Sequence, residues 1–221
     1  MREPKIFDVV SYFAKLMASD NITIKLQSIP TAMFNTQTRE LFIPVFAESD
    51  MDLSTFLVAH EIGHALFTPD VSTTRSKLLQ MICNVVEDYR VDLAMFAKYR
   101  GLPTIYTKGV NILNERNFYG NDGRYDNTTR DLFLERLNIW LVQTRTETTR
   151  YTVKFTNFEK ELVRKCQTVS TFEDVVEVAT IIENYLISKD EEEEEPKQEP
   201  GNDGEKSSDE SDSDDSGDTE Q

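Results

Sequence analysis

The sequence predicts an α+β fold that is mostly helical, with a short β-sheet near the N-terminus followed by a helical bundle. Three observations predict it. Alternating apolar residues occur only between residues 21 and 43, and helical spacing of apolar residues then holds from Asp50 to about residue 188. Residues 190–221 contain no aliphatic or aromatic side chain, so nothing there can offset the entropy of ordering, and a disordered tail is expected. The remaining residues, 1–189, suffice for one domain with a real core, in which 104–189 form a helical part.

Taken in order, residues 4–18 place Ile6, Phe7, Val9, Val10, Phe13, Leu16 and Met17 at helical spacing. Ile22, Ile24 and Leu26 alternate as in a half-buried strand. Two more strands follow, at 32–34 and 41–43, joined by the polar stretch NTQTRE. Pro44 puts the second of them at a sheet edge, because proline has no N–H for a ladder.

Asp50 or Asp52 then caps a helix through DLSTFLVAHEIGHALF, which Pro69 must end. A second long helix, from about Ser72 to Arg100, turns Leu78, Leu79, Ile82, Val85, Val86, Leu93 and Phe96 inward and stops at Gly101 and Pro103. Further helices are expected at 104–116, 129–145, 157–167 and 171–188, the last opened by a capping box of Ser170 with Glu173. The loop FYGNDGRYDN reads as mobile.

The formal charge of -16 is unevenly placed. Residues 190–221 hold sixteen acids against Lys197 and Lys206, which leaves the body with twenty-four acids against twenty-two bases. No basic stripe is present, which argues against binding nucleic acid. No apolar run approaches the roughly 18 residues that span a membrane, and MREPKIFDVV has no apolar core of a secretory signal. Cys83 and Cys166 are read as reduced thiols, in keeping with a cytoplasmic protein. None of the body's five glycines forms a phosphate-cradling motif. An acidic tail of this kind suits docking of a basic protein partner, and Ser207, Ser208, Ser211, Ser213 and Ser216 are sites where phosphate would deepen its charge.

The chain has two histidines, His60 and His64, and both stand in the string H-E-I-G-H. This fits H-E-x-x-H on a helix, the zincin pattern. Positions i and i+4 share a face, so both imidazoles reach one zinc ion, while Glu61 projects about 100° away and is the candidate general base. Gly63 inside the helix costs about 1 kcal/mol against alanine, which points to a close neighbour needing room.

A third protein ligand is required. Glu87 in NVVEDYRVD is the strongest candidate, since an antiparallel helix pair brings it opposite the histidines. Asp88 is its rival, or else an acceptor that orients a ligating imidazole, a role open also to Asp92 and Asn84. Asp70 stands where a longer zincin motif carries its last ligand, but Phe67 replaces the glycine that turns the chain back. Cys83 binds zinc in principle and reads as core. Tyr89, Tyr106, Tyr119, Tyr125 and Arg90 are candidates for the oxyanion donor.

FLVAHEIGHALFTPD, followed some twenty residues later by NVVEDYRVD, resembles the metallopeptidase portion of the von Willebrand factor A associated proteins, including those of tailed phages. The resemblance covers about residues 30–100. It implies a gluzincin-like zinc peptidase, placed in the host cytoplasm if phage-encoded, with His60, His64 and Glu87 on the metal and Glu61 as base. By analogy with zincins, the edge strand at Leu41, Phe42 and Ile43 would pair with an extended peptide or protein substrate. Such proteins usually continue past an acidic linker into a von Willebrand factor A domain, and here residues 190–221 stand in the linker's place. Asp209, Ser211 and Ser213 spell D-x-S-x-S only by composition. The competing reading is a non-catalytic metal-binding or helical interaction module whose tail docks a basic partner.

Overall fold

The Asp50 carboxylate accepts the backbone N–H of Leu53 at 3.1 Å, and this cap starts the helix that carries both histidines. In the computed structural model that helix, α2, runs Met51–Phe67, and Thr68 leaves it in an extended conformation just before Pro69. Residues 6–17, 22–35, 37–45, 50–70, 76–120 and 123–194 are described. The other elements are α1 (Ile6–Met17), β1 (Thr23–Gln27), β2 (Met33–Asn35), β3 (Glu40–Pro44), α3 (Lys77–Lys98), α4 (Leu102–Glu115), α5 (Phe133–Thr146), α6 (Asn157–Gln167) and α7 (Phe172–Glu194). The fold is α+β and mostly helical.

The three strands form one mixed sheet in the order β1-β3-β2, with β1 parallel and β2 antiparallel to β3. This corrects the expectation that Leu41, Phe42 and Ile43 lie at an edge. β3 is the central strand, Leu41 and Ile43 are buried in the core, and Pro44 escapes the missing N–H by standing at the strand's last position. The edge that faces α2 belongs to β2.

Two cores divide the molecule. The first packs the sheet, α1 and α4 around α2, which buries Leu53, Phe56, Leu57, Val58 and Ile62. The second joins α3, α5, α6 and α7 through Ile82, Val86, Phe133, Leu137, Leu141 and Ile182. Cys83 belongs to this second core. Leu93, expected inward, is exposed.

Glycine sets the spacing where α2 meets its neighbours. A Cβ on Gly63 would stand 2.5 Å from Val91 Cγ1 and 2.9 Å from Met95 Cγ, so α3 lies directly against this turn of α2. A Cβ on Gly109 of α4 would come within 2.3 Å of the Phe56 ring. The room that Gly63 leaves is therefore occupied by α3.

Arg136 and Glu159 form a fully buried pair, with Arg136 Nη2 and Nη1 on the two carboxylate oxygens at 2.7 and 3.0 Å. The same Glu159 closes a capping box with Thr156 at the start of α6. At α7 the box is Thr171 with Asp174, one residue later than the expected Ser170 with Glu173, because Asp174 also accepts the N–H groups of Ser170 and Thr171. The backbone of α7 continues to Glu194, so the first acidic residues after 189 extend a helix, and residues 195–221 of the expected tail lie outside the described part. In the loop expected to be mobile, Tyr125 is buried and its hydroxyl donates to the carbonyl of Tyr119.

Burial alone would raise the Glu159 carboxyl, but Arg136 and the Thr156 N–H outweigh it and hold the group below its usual range. The pair's stabilisation is thus present above the ordinary glutamate value of about 4.3 and fades as pH falls through the lower folded value. Arg136→Ala should cost about 3–5 kcal/mol in urea unfolding at pH 7, because it strands a buried carboxylate, and the cost should shrink in acid. Gly63→Ala should cost about 1–3 kcal/mol by pushing α3 off α2, read from the same unfolding curves.

Candidate metal centre

His60 and His64 project from one face of α2 toward α3, and Asp88 on α3 projects back between them. The two Nε2 atoms are 3.3 Å apart, and Asp88 Oδ1 lies 3.1 Å from His64 Nε2 and 3.7 Å from His60 Nε2. Zinc bonds of roughly 2.0–2.1 Å in a tetrahedron place neighbouring ligand atoms about 3.3 Å apart. The three atoms thus form the triangular base of a metal site whose fourth direction is free of these ligands. His60, His64 and Asp88 are the group among the described residues that could hold a metal ion.

The outer nitrogens explain why both rings face inward. His60 Nδ1 lies 2.8 Å from Asp92 Oδ1, and Asp92 Oδ2 is 2.6 Å from Arg145 Nε on α5. His64 Nδ1 lies 3.0 Å from the Thr68 hydroxyl, which donates to Glu87 Oε1 at 2.6 Å. Arg90 grips Glu87 with Nε and Nη2 at 2.7 and 2.6 Å and donates to the Phe67 carbonyl at 2.9 Å. Each imidazole therefore gives its Nδ1 proton outward and turns its Nε2 to the centre, the orientation a metal ligand needs. Behind each stands a buried carboxylate held by an arginine.

These contacts turn Glu87, the expected third ligand, away from the histidines and set its alternative, Asp88, beside them. Successive helical residues point about 100° apart, so only one of Glu87 and Asp88 can face the histidines, and Arg90 one turn later holds Glu87 the other way. Asp92 stands where an acceptor for a ligating imidazole was expected. Asn84 and Asp70 are exposed, and neither joins the cluster. Of the oxyanion candidates, Arg90 is taken up by Glu87, Tyr106 is fully buried beside Asp92, and Tyr125 is buried on Tyr119, while Tyr119 itself reaches a cleft.

That cleft, of about 140 Å³, opens beside His60 and Asp88. Phe56 and Leu57 of α2, Leu113 of α4, Phe118 and Tyr119 line it with Asn138, Val142 and Arg145 of α5. The α5 residues recur at i, i+4 and i+7, one helical face, which is the signal that sequence reasoning passed over.

Glu61 is 9 % exposed and accepts the backbone N–H of Phe34 in β2. Burial pushes its carboxyl up, partly offset by His60 and His64. Burial would lower His60, but Asp92 and Asp88 outweigh it and raise it to about 10. Burial would likewise raise Asp88, yet His60 and His64 bring it down to about 2. With no metal present, the carboxylates thus draw a proton onto His60. A bound dication would balance the same charges and displace that proton.

No protein-family model matches the chain, and neither the curated proteins nor the solved structures include a match to it.

Zinc affinity, measured by competition with a chromophoric chelator, should separate the two neighbouring acids. Glu87→Gln should weaken binding by about 10–100-fold through the orientation of His64, and Asp88→Ala by more than that.

Proposed function

We propose that the chain is a zinc-dependent metallopeptidase, hydrolysing peptide bonds by metal-activated water with Glu61 as general base. The observation that carries this reading is the near-tetrahedral triangle of His60, His64 and Asp88, open beside a cleft and next to a buried carboxyl. Two imidazoles with one carboxylate suit zinc, whereas calcium and magnesium take oxygen ligands. The joint occurrence of HEIGHALFTP and NVVEDYR, which resembles the von Willebrand factor A associated metallopeptidases, supports the same reading.

Bound zinc would lower the pKa of a water molecule toward about 7 and polarise the substrate carbonyl. The residues of the chain supply the rest. Asp92 and Thr68 keep both imidazoles in register, so no reorientation is needed as charge develops. Glu61 takes a proton from water on its carboxylate and delivers it to the leaving nitrogen. Its contact with Phe34 supports β2, rather than β3, as the edge along which an extended peptide would lie.

Glu61→Gln should leave zinc content unchanged and reduce hydrolysis of an unfolded protein substrate by about 10²–10⁴-fold. Undiminished hydrolysis in that variant, or wild-type protein that takes up no zinc, contradicts the reading.

A further inference from the structure

The polar groups in the wall of the cleft beside His60 and Asp88 differ in how far they are already engaged. Arg145 is committed to Asp92 at 2.6 Å, and its Nη1 is sealed from solvent. Asn138, on the same face of α5, is half-buried, and its amide has no hydrogen-bond partner among the described residues. Neither amide atom is sealed off as Arg145 Nη1 is. Asparagine is a poor helix former, so at an interior position of α5 (Phe133–Thr146) local propensity does not call for it. Its side chain presents an open donor and an open acceptor to the cleft.

The surroundings select what can answer both. Phe56, Leu57, Leu113, Phe118 and Val142 make the rest of the wall apolar or aromatic, which suits methylene groups. A purely apolar side chain would cover Asn138 and leave its amide unpaired, which is costly. A carboxylate brings no donor and would lie near Asp88, while a cation brings no acceptor and would lie near Arg145 and a bound metal. A carboxamide meets donor with acceptor and acceptor with donor. Asn138 stands two turns before Arg145, about 10.5 Å along α5, so a long side chain is needed to reach it from the metal end. Glutamine combines that length with the carboxamide.

We propose that the cleft beside the metal centre selects a glutamine side chain of the substrate, its carboxamide pairing with the Asn138 amide while its methylenes lie on the apolar wall. This rests on the metallopeptidase reading above and adds to it a residue preference next to the scissile bond.

The test is calorimetric binding to the zinc-loaded protein of three hydroxamates that differ only in the side chain beside the metal-binding group: that of glutamine, of methionine, or of glutamate. Methionine has nearly the length of glutamine without its hydrogen bonds, and glutamate has the shape without the donor. Wild type should bind the glutamine compound about 5–100-fold more tightly than either of the others. Asn138→Leu, a change of similar size, should erase the preference over methionine. Acetohydroxamate reaches only the metal and should bind both proteins equally, which also shows that the variant is folded and loaded. Wild type that binds the methionine compound as tightly as the glutamine one overturns the proposal without recourse to any variant. So does an unchanged preference in Asn138→Leu, and a preference for glutamate overturns it in favour of a cationic pocket. Failure of acetohydroxamate to bind the wild type overturns the metal centre itself, and the glutamine preference with it.

Discussion

At Gly63 a single methyl group would collide with Val91 and Met95, so α2 and α3 touch there with almost no side chain between them. Asp88 lies one turn before Val91 on α3 and Asp92 immediately after it, while His60 and His64 flank Gly63 on α2. The close crossing therefore sets how far both acids stand from both imidazoles. Separations near 3 Å follow from it, because acidic side chains this short cannot span a crossing widened by another side chain. The approach of α4 to Phe56 at Gly109 packs a further helix against α2, two turns before Gly63.

Electrostatics then decides how the buried charges are balanced. Asp88, Asp92 and Glu61 gather around two imidazoles, with Arg145 on Asp92. Isolated carboxylates at this depth are costly, and each has a partner: Asp92 pairs with His60 and, as an ion pair, with Arg145, Asp88 with the histidine pair, and Glu61 with the N–H of Phe34. Glu87 and Arg90 form a parallel unit behind His64 and tie the end of α2 to α3 through the Phe67 carbonyl. Both metal-facing rings thus rest on carboxylates that are themselves held, which removes most of the freedom they would otherwise lose on binding a metal.

Much of this was legible in the residues. The helix of His60 and His64, its Asp50 cap, the stop at Pro69, and the acceptor role of Asp92 follow from spacing and capping chemistry. That Glu87 turns to Arg90 and Asp88 to the histidines was not legible, for a definite reason. Neighbouring acids on a helix differ by a rotation that sequence does not phase against a distant helix, and the i,i+3 pairing with Arg90 is what turns Glu87 aside. The edge position of β3 failed because Pro44 was taken to exclude a central strand, when only its terminal place in that strand mattered. The cleft was missed because Asn138, Val142 and Arg145 belong to a helix far along the chain, and no local pattern says that its face turns toward α2.

The most direct measurement is anomalous diffraction at the zinc edge from crystals of the zinc-loaded protein. The expected result is one strong peak about 2.0–2.2 Å from His60 Nε2, His64 Nε2 and an Asp88 oxygen, with Glu87 still paired to Arg90. A peak bound by Glu87 in place of Asp88, or a fully loaded crystal with no peak between the two histidines, would contradict it.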